Sequence, residues 1–211
     1  MSKSFLLVLS CIVAGFFSWN ASADSEHTHR SVSKVWTFSD SNDGSPIPEE
    51  DRVKIEDAKS KIVRTDDSVC ITTKTRDLPP GAYTNWWVMF NDPANCVNGT
   101  GFGKSRCGSG DPAAVMWATG GIVGPDGVGY FNACINEGEV PGQLLRPPGL
   151  TNANAEIHVI IKWHGDSAFG DAQRLGEQLT SVSGACDQFA ATNYLGMANC
   201  PDPQIVIHRG K

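Results

Sequence analysis

The chain has 211 residues and a formal net charge of −6, with 23 acidic residues against 17 Lys and Arg. No stretch of the sequence concentrates basic residues. Nucleic acid and anionic membrane surfaces are bound through such clusters, so neither is expected as a partner. At this length and with 40% hydrophobic residues, the chain can bury the core of one ordinary domain.

The first 23 residues have the features of a secretory signal. Lys3 supplies a positive charge, an apolar run occupies residues 5–19, and residues 21–23 form a small-residue cleavage pattern. The run falls short of the ~18 apolar residues of a membrane-spanning helix, and no second long apolar stretch follows. We therefore predict a signal peptide over residues 1–23 and a mature chain without a membrane span, secreted or periplasmic.

Six cysteines remain after this cleavage. An even number of cysteines behind a secretory signal indicates disulfides formed in an oxidising compartment. Proximity along the chain favours Cys96–Cys107 and Cys186–Cys200, each closing a short polar loop. A zinc site is less favoured, because the sequence has no C-x-x-C pair. The six cysteines are Cys70, Cys96, Cys107, Cys134, Cys186 and Cys200.

The mature chain divides near residue 61. Residues 24–60 are polar and charged, and we predict a partly disordered N-terminal arm with one short strand at 35–38. From residue 61 onward, short β-branched and aromatic runs alternate with Gly, Pro, Asn and Asp, as in consecutive strands. Residues 61–211 are predicted to form an all-β, antiparallel β-sandwich, immunoglobulin-like or related, with disulfide-closed loops.

Strands are predicted over residues 68–75, 83–90, 113–119, 128–135, 156–164 and 204–209. In two of them a cysteine lies on the face opposite the apolar residues, Cys70 opposite Ile71 and Cys134 opposite Ile135. This shared orientation makes a cross-strand Cys70–Cys134 bridge geometrically sensible. For residues 171–179, a short helix and a strand both remain open.

Two further expectations concern which way side chains point. Trp86 and Trp87 are adjacent on one strand and therefore point to opposite faces. We expect one in the core and the other under a loop, which is favoured over a sugar-stacking platform. In the last strand, Ile205 and Ile207 are expected to face the core.

One stretch of the chain resembles a known family. Residues 80–93 read P-G-A-Y-T-N-W-W-V-M-F-N-D-P, accompanied by weaker matches at 62–67, 118–121, 156–159 and 207–209. This resembles a family of exported prokaryotic β-proteins of unassigned function with a P-G-x-Y-T-x-W-W-V-x-F-N-x-P core and paired loop cysteines. The resemblance covers most of the chain after residue 61 and implies an exported β-domain, but no activity, ligand or catalytic residue.

A second resemblance concerns the turn before Tyr83. Residues 78–83 are similar to the corner of immunoglobulin-like sandwiches, where a tyrosine hydroxyl bonds back to the preceding turn.

Three histidines are the candidate metal ligands. His158 and His164 share a strand face, but six residues separate their Cα atoms by about 20 Å, too far to bind one ion together. Each remains able to pair with His208 or with a carboxylate on a neighbouring strand. Single histidines that form hydrogen bonds on a strand surface are the favoured interpretation, and no cofactor is predicted.

The sequence contains no motif that identifies a class of enzymatic reaction. For example, the G-x-S-x-G elbow of hydrolases is missing. Our hypothesis is a non-catalytic exported β-sandwich that binds a ligand, a glycan or a protein partner, or is structural at the cell surface. The alternative is a metal-dependent or hydrolytic secreted enzyme that uses His164 and His208 with nearby carboxylates. Convergence of two imidazoles and a carboxylate in a pocket would favour the enzyme.

Overall fold

A computed structural model describes residues 28–40, 44–96, 107, 113–182, 184–186 and 200–211, so the predicted signal peptide lies outside the described residues. The described elements are ten strands, one α-helix and two short 3-10 segments, Glu49–Asp51 and Pro93–Asn95. In chain order the strands and the helix are β1 (His29–Ser33), β2 (Val35–Thr37), β3 (Lys59–Arg64), β4 (Ser68–Thr75), β5 (Gly81–Phe90), β6 (Ala114–Val123), β7 (Gly129–Asn136), β8 (Leu144–Arg146), β9 (Glu156–Trp163), α1 (Ala172–Thr180) and β10 (Gln204–His208).

The strands form two antiparallel sheets packed face to face. One has four strands in the order β1-β3-β4-β7, and the other has six in the order β2-β10-β9-β5-β6-β8. The predicted antiparallel β-sandwich is therefore confirmed. The strands predicted at 83–90 and 113–119 are longer than expected. Residues 171–179, for which helix and strand had both remained open, form the helix α1. The Asp171 carboxylate caps this helix by accepting a hydrogen bond from the Arg174 amide. The short strands β3 and β8 were not separately predicted.

The core between the sheets follows from alternation along the strands. On β4, Val69 and Ile71 point inward, and they meet Trp87, Val159 and other apolar residues of the six-stranded sheet. Removing such side chains from water contributes about 1.5–3 kcal/mol each, which makes this layer the main source of stability.

Two central strands of the larger sheet are covered on both faces. All ten residues of β5 are buried, as are seven of the eight residues of β9. Trp87 lies between the sheets, while Trp86 packs on the outer face against Val88, Ile160 and Val182. The two tryptophans therefore point to opposite faces, as expected, with Trp87 in the core between the sheets and Trp86 buried on the outer face.

The helix α1 lies over this outer face and packs against β5 and β6. The indole Nε1 of Trp117 donates to the carbonyl of Leu179 at 2.9 Å. The backbone of β6 approaches the helix so closely that a Cβ at Gly120 would collide with the same Leu179 carbonyl. A glycine at this position is what lets the helix seat against the sheet.

The N-terminal arm contributes a strand to each sheet. β1 pairs with β3 and β2 pairs with β10, so the chain changes sheet at Lys34. The strand predicted at 35–38 is present, whereas the expectation of loose order was wrong for residues 29–33. The sequence of β1 does not alternate apolar with polar residues, so it carries little strand signal. Its strand conformation depends on pairing with β3.

The last strand is oriented opposite to the expectation. Val206 belongs to the core between the sheets, whereas Ile205 and Ile207 line a pocket on the outer face. The inward positions of Gln204 and His208 are tolerated because each finds a polar partner: Gln204 accepts from the Thr75 hydroxyl at 2.5 Å.

A hydrogen bond from a tyrosine closes the turn before β5, as the resemblance of this turn to the immunoglobulin corner implies. The Tyr83 hydroxyl donates to the Pro79 carbonyl at 2.6 Å. Burial raises the pKa of this phenol, so it stays protonated and able to donate.

Three disulfides join the expected pairs of cysteines. Cys70 and Cys134 face each other on β4 and β7, and the other two bridges are Cys96–Cys107 and Cys186–Cys200. The first bridges two strands of one sheet, and the other two lie beside the outer face of the larger sheet, near Phe90 and His164.

Replacing both Cys70 and Cys134 by alanine should lower the free energy of unfolding by about 4 kcal/mol, because this bridge spans 64 residues. The matched C96A/C107A variant loses a bridge spanning 11 residues and should cost about 3 kcal/mol. Urea unfolding at neutral pH measures both. Unchanged midpoints in both variants would contradict a stabilising role of the bridges.

Candidate functional site

The three candidate histidines lie in three separate environments. His158 and His164 lie on the outer face of β9, near its two ends, whereas His208 points between the sheets and bonds to Ser60 of β3. Each forms a hydrogen bond, as expected of single histidines, but all three are fully buried, so their expected placement on a strand surface was wrong. The error has a physical cause: the cover over β9 is provided by other segments and leaves no trace in the β9 sequence.

At one end of β9, His158 forms a buried hydrogen bond with a carboxylate. Its Nε2 lies 2.7 Å from Oε1 of Glu156, and its ring packs against Phe90 with centroids 5.0 Å apart. Cys107 Sγ lies 3.7 Å from the same carboxylate oxygen. The Cys96–Cys107 bridge therefore covers this pair.

At the other end, His164 is held in one tautomer by a chain of hydrogen bonds. Trp86 Nε1 donates to the Thr84 hydroxyl at 2.9 Å, and that hydroxyl donates to His164 Nε2 at 2.8 Å. The proton is thereby assigned to Nδ1, which donates to the Gly184 carbonyl at 3.0 Å. Burial lowers the pKa of His164 to about 4, with the Gly184 carbonyl opposing the shift, so the ring is neutral at pH 7.

Between the histidines, Lys162 and Asp202 form a second buried pair. The ammonium lies 2.7 Å from the Asp202 carboxylate and donates to the Cys200 carbonyl at 3.0 Å. Both side chains are at most 4% exposed. Two charges in so dry an environment are tolerated because they compensate each other.

Between the sheets, His208 belongs to a third network. Its Nε2 lies 2.8 Å from the Ser60 hydroxyl, which lies 2.6 Å from the Thr73 hydroxyl. Burial lowers the pKa of His208 to about 3, and the nearby positive charges of Arg64 and His158 act in the same direction.

Two groups of potential metal ligands occur among the described residues. His164 lies with Cys186 and Cys200, and Glu156 lies with Cys96 and Cys107, each group within 4.8 Å. In both groups the two sulfurs are tied in a disulfide, which removes the thiolates that bind metals. Neither group contains two histidines, so the structure does not bring His164 and His208 together with a carboxylate.

A pocket of about 350 Å³ opens on the outer face of the six-stranded sheet, where β2 pairs with β10. Its apolar residues are Trp36, Ile205 and Ile207. Trp36 stands opposite Ile205 in the ladder, and both point outward because their neighbours Val35 and Val206 point into the core.

Charged side chains surround this apolar floor. Three are cationic, Lys34, Arg52 and Arg209, and one is anionic, Glu49. Lys34 Nζ lies 6.0 Å from the centroid of the Trp36 ring. Arg52 lies 5.0 Å from the centroid of the Phe38 ring, so its guanidinium rests against an aromatic face beside the pocket.

The sequence did not predict this pocket, because Trp36 was expected on an isolated short strand of the arm and Ile205 and Ile207 were expected to face the core. A signal was nevertheless present. The alternations Lys34-x-Trp36 and Ile205-x-Ile207-x-Arg209 place apolar and cationic residues on one face of each strand.

Comparison with protein-family models, with curated proteins and with solved structures finds no match for this chain. Across the described ranges, no helix has the length and apolar character needed to cross a bilayer.

Asp202→Asn should destabilise the protein by about 3–5 kcal/mol, because it leaves the Lys162 ammonium buried without a counter-charge. The double variant K162M/D202L removes both charges and should recover most of that loss. Chemical unfolding of the two variants and the parent measures the coupling. Equal losses in the single and double variants would contradict the assigned pairing.

The lowered pKa of His208 predicts acid destabilisation. The unfolded chain takes up a proton on this ring below pH ~6.5, whereas the folded chain does so only near pH 3. Stability that is fully present above pH 6.5 is therefore lost as the pH falls towards 3. In His208→Gln, the stability lost between about pH 7 and pH 4.5 should be smaller by about 2–3 kcal/mol. Urea midpoints at both pH values test this, and an unchanged pH dependence would contradict it.

Proposed function

We propose that the protein is an exported, non-catalytic binding protein whose Trp36 pocket holds a small apolar molecule bearing one negative group. The pocket itself carries this proposal. An apolar floor of three side chains lies beside three cations and one acid, in a chain whose net charge is −6.

The floor supports an apolar ligand. Trp36 supplies a broad aromatic surface, and Ile205 and Ile207 extend it along the neighbouring strand. A volume of about 350 Å³ lies at the lower end of the range for small-molecule sites, so the ligand is about one or two rings, or a short acyl chain.

The rim supports a negative group on that ligand. With Lys34, Arg52 and Arg209 against Glu49, the side chains around the pocket carry a net charge of 3 − 1 = +2. Guanidinium groups hold carboxylate or phosphate through paired hydrogen bonds, and they do so best beside an apolar surface that excludes water.

Export is supported by the disulfides. Three bridges persist where thiols oxidise, as in the periplasm or the external medium. The enzyme alternative gains no support from the described residues, since His164 and His208 bond to different partners and each has a pKa near 3 or 4.

Binding of the fluorescent anion anilinonaphthalene sulfonate tests the pocket, with the uncharged phenylnaphthylamine as its matched probe. Trp36→Ala should weaken both probes about tenfold or more, since it removes the floor. Arg52→Gln should weaken the anion several-fold and leave the neutral probe almost unchanged, because it removes a positive charge from the rim and leaves the apolar floor in place.

Phe169→Ala is the control for this experiment, because it removes an aromatic side chain that is 73% exposed and outside the pocket. It should change neither affinity. Retention of full affinity in Trp36→Ala, or equal effects of Arg52→Gln on both probes, would contradict the proposal.

A further inference from the structure

The opposite side of the sandwich presents a basic surface that the linear sequence conceals. On the four-stranded sheet, Ile62, Val69 and Ile71 point into the core, so their neighbours point to solvent. Four of the outward side chains are cationic and exposed, and we call them the basic face: Arg30, Lys59, Lys61 and Lys74.

Strand pairing brings these cations together. Lys59 stands directly opposite Lys74, in a position where Cα atoms are about 4.5–5.5 Å apart. Lys61 lies two residues further along β3, and Arg30 lies diagonally beyond it on β1, opposite Val63. The four cations therefore occupy a patch of roughly 15 Å.

Two described acids, Asp57 and Asp126, line a pocket with Lys74 and Tyr130 at one end of this patch, but Asp57 pairs with Arg76 and Asp126 accepts from the Val128 amide. The four strands of this sheet contain no Asp or Glu. Elsewhere, Lys54 pairs with Glu56, but none of the four cations forms an ion pair with a described residue. At physiological salt, charges beyond about 8 Å are screened, so a ligand on this face meets positive charge despite the acidic net charge of the chain.

The arrangement has a stability cost that points to a ligand. Like charges directly opposite each other on neighbouring strands are destabilising, and Lys59 and Lys74 are such a pair. Neutral polar residues at these exposed positions would fold at least as well, so folding does not require two lysines there.

The neighbours of the cations suit a sugar polymer. Tyr130 of β7 stands opposite Lys74 of β4 and is 67% exposed. The centroid of its ring lies 5.7 Å from the lysine nitrogen. Thr72 and Asn132 add a hydroxyl and an amide, joined by a hydrogen bond of 2.7 Å. Aromatic faces stack on sugar rings, and hydroxyl and amide groups bond to sugar hydroxyls.

The shape of the face disfavours a lipid bilayer. The large apolar or aromatic side chains that project most from it, Val32 and Tyr130, lie on opposite edge strands, so they form no joint insertion surface. A twisted sheet also does not present its cations in one plane, whereas a flexible linear polymer follows the twist.

We propose that the basic face binds an acidic polysaccharide, a linear polymer with carboxylates on its sugar units. The polymer runs diagonally across the sheet, from Arg30 over Lys61 to Lys74 and Tyr130. This direction follows from the register of the cations, and it avoids the acidic turn of Asp66 and Asp67 at the end of β3. The site is independent of the Trp36 pocket, which lies on the other outer face.

Binding of polygalacturonate to the full chain tests this proposal, with the methyl-esterified polymer as a neutral probe of the same backbone. The parent protein should bind the acidic form and not the ester, with affinity about tenfold weaker at about 200 mM salt than at about 50 mM. The face variant K59Q/K61Q/K74Q should bind at least tenfold more weakly. It should melt no lower than the parent, because it relieves the Lys59–Lys74 repulsion.

The matched control is R146Q/R174Q, which removes two charges from exposed positions on β8 and α1 and is compared with the two-charge face variant K59Q/K74Q. It should bind like the parent. Tyr130→Ala provides a second reading at unchanged charge and should weaken binding several-fold without changing the salt dependence.

Three results would overturn the proposal. The first is no preference for the acidic polymer over its ester. The second is an equal loss in the face and control variants, which would reduce the effect to net charge. The third is tighter binding of duplex DNA or of phosphatidylglycerol vesicles through the same lysines, which would assign the face to another class of partner.

Discussion

Burial of both faces of β5 and β9 is the constraint on which the rest of the structure depends. A strand covered on one side only can leave its polar residues in water, but β9 carries Glu156, His158, Lys162 and, just beyond its end, His164 in a dry environment. Each therefore needs a partner of its own, and each has one in the structure. Because the cover is fastened by disulfides, the polar network and the oxidised cysteines depend on each other.

This constraint also separates what the sequence could predict from what it could not. Alternation identified β4 and β9, and a long aromatic run identified β5. The facing of Cys70 and Cys134 anticipated their bridge, because these signals are all local. The burial of His158 and the outward direction of Ile205 depend on segments far away in the chain. The same holds for Trp36, whose role in a pocket appears only when β10 pairs with β2. Long-range covering of a strand is thus the property that local patterns do not carry.

The distribution of charge on the surface also depends on how the strands are arranged. Basic residues do not cluster along the linear sequence. Every second residue of β3 nevertheless points outward, so Lys59 and Lys61 share a surface although a buried residue separates them. The proposed functions accordingly use the two outer faces of one sandwich: a pocket with an apolar floor on one and a basic surface on the other.

The pairing of β2 with β10 has a consequence for how the molecule is made. Among the described strands, β2 finds its ladder partner in the last strand of the chain, and Ser33 bonds to the Ile207 carbonyl across 174 residues. The larger sheet cannot complete this edge until β10 has been synthesised, and contacts of such long range also make folding slow. Until β10 is synthesised, β2 therefore lacks its partner and this edge of the larger sheet stays unpaired in the nascent polypeptide.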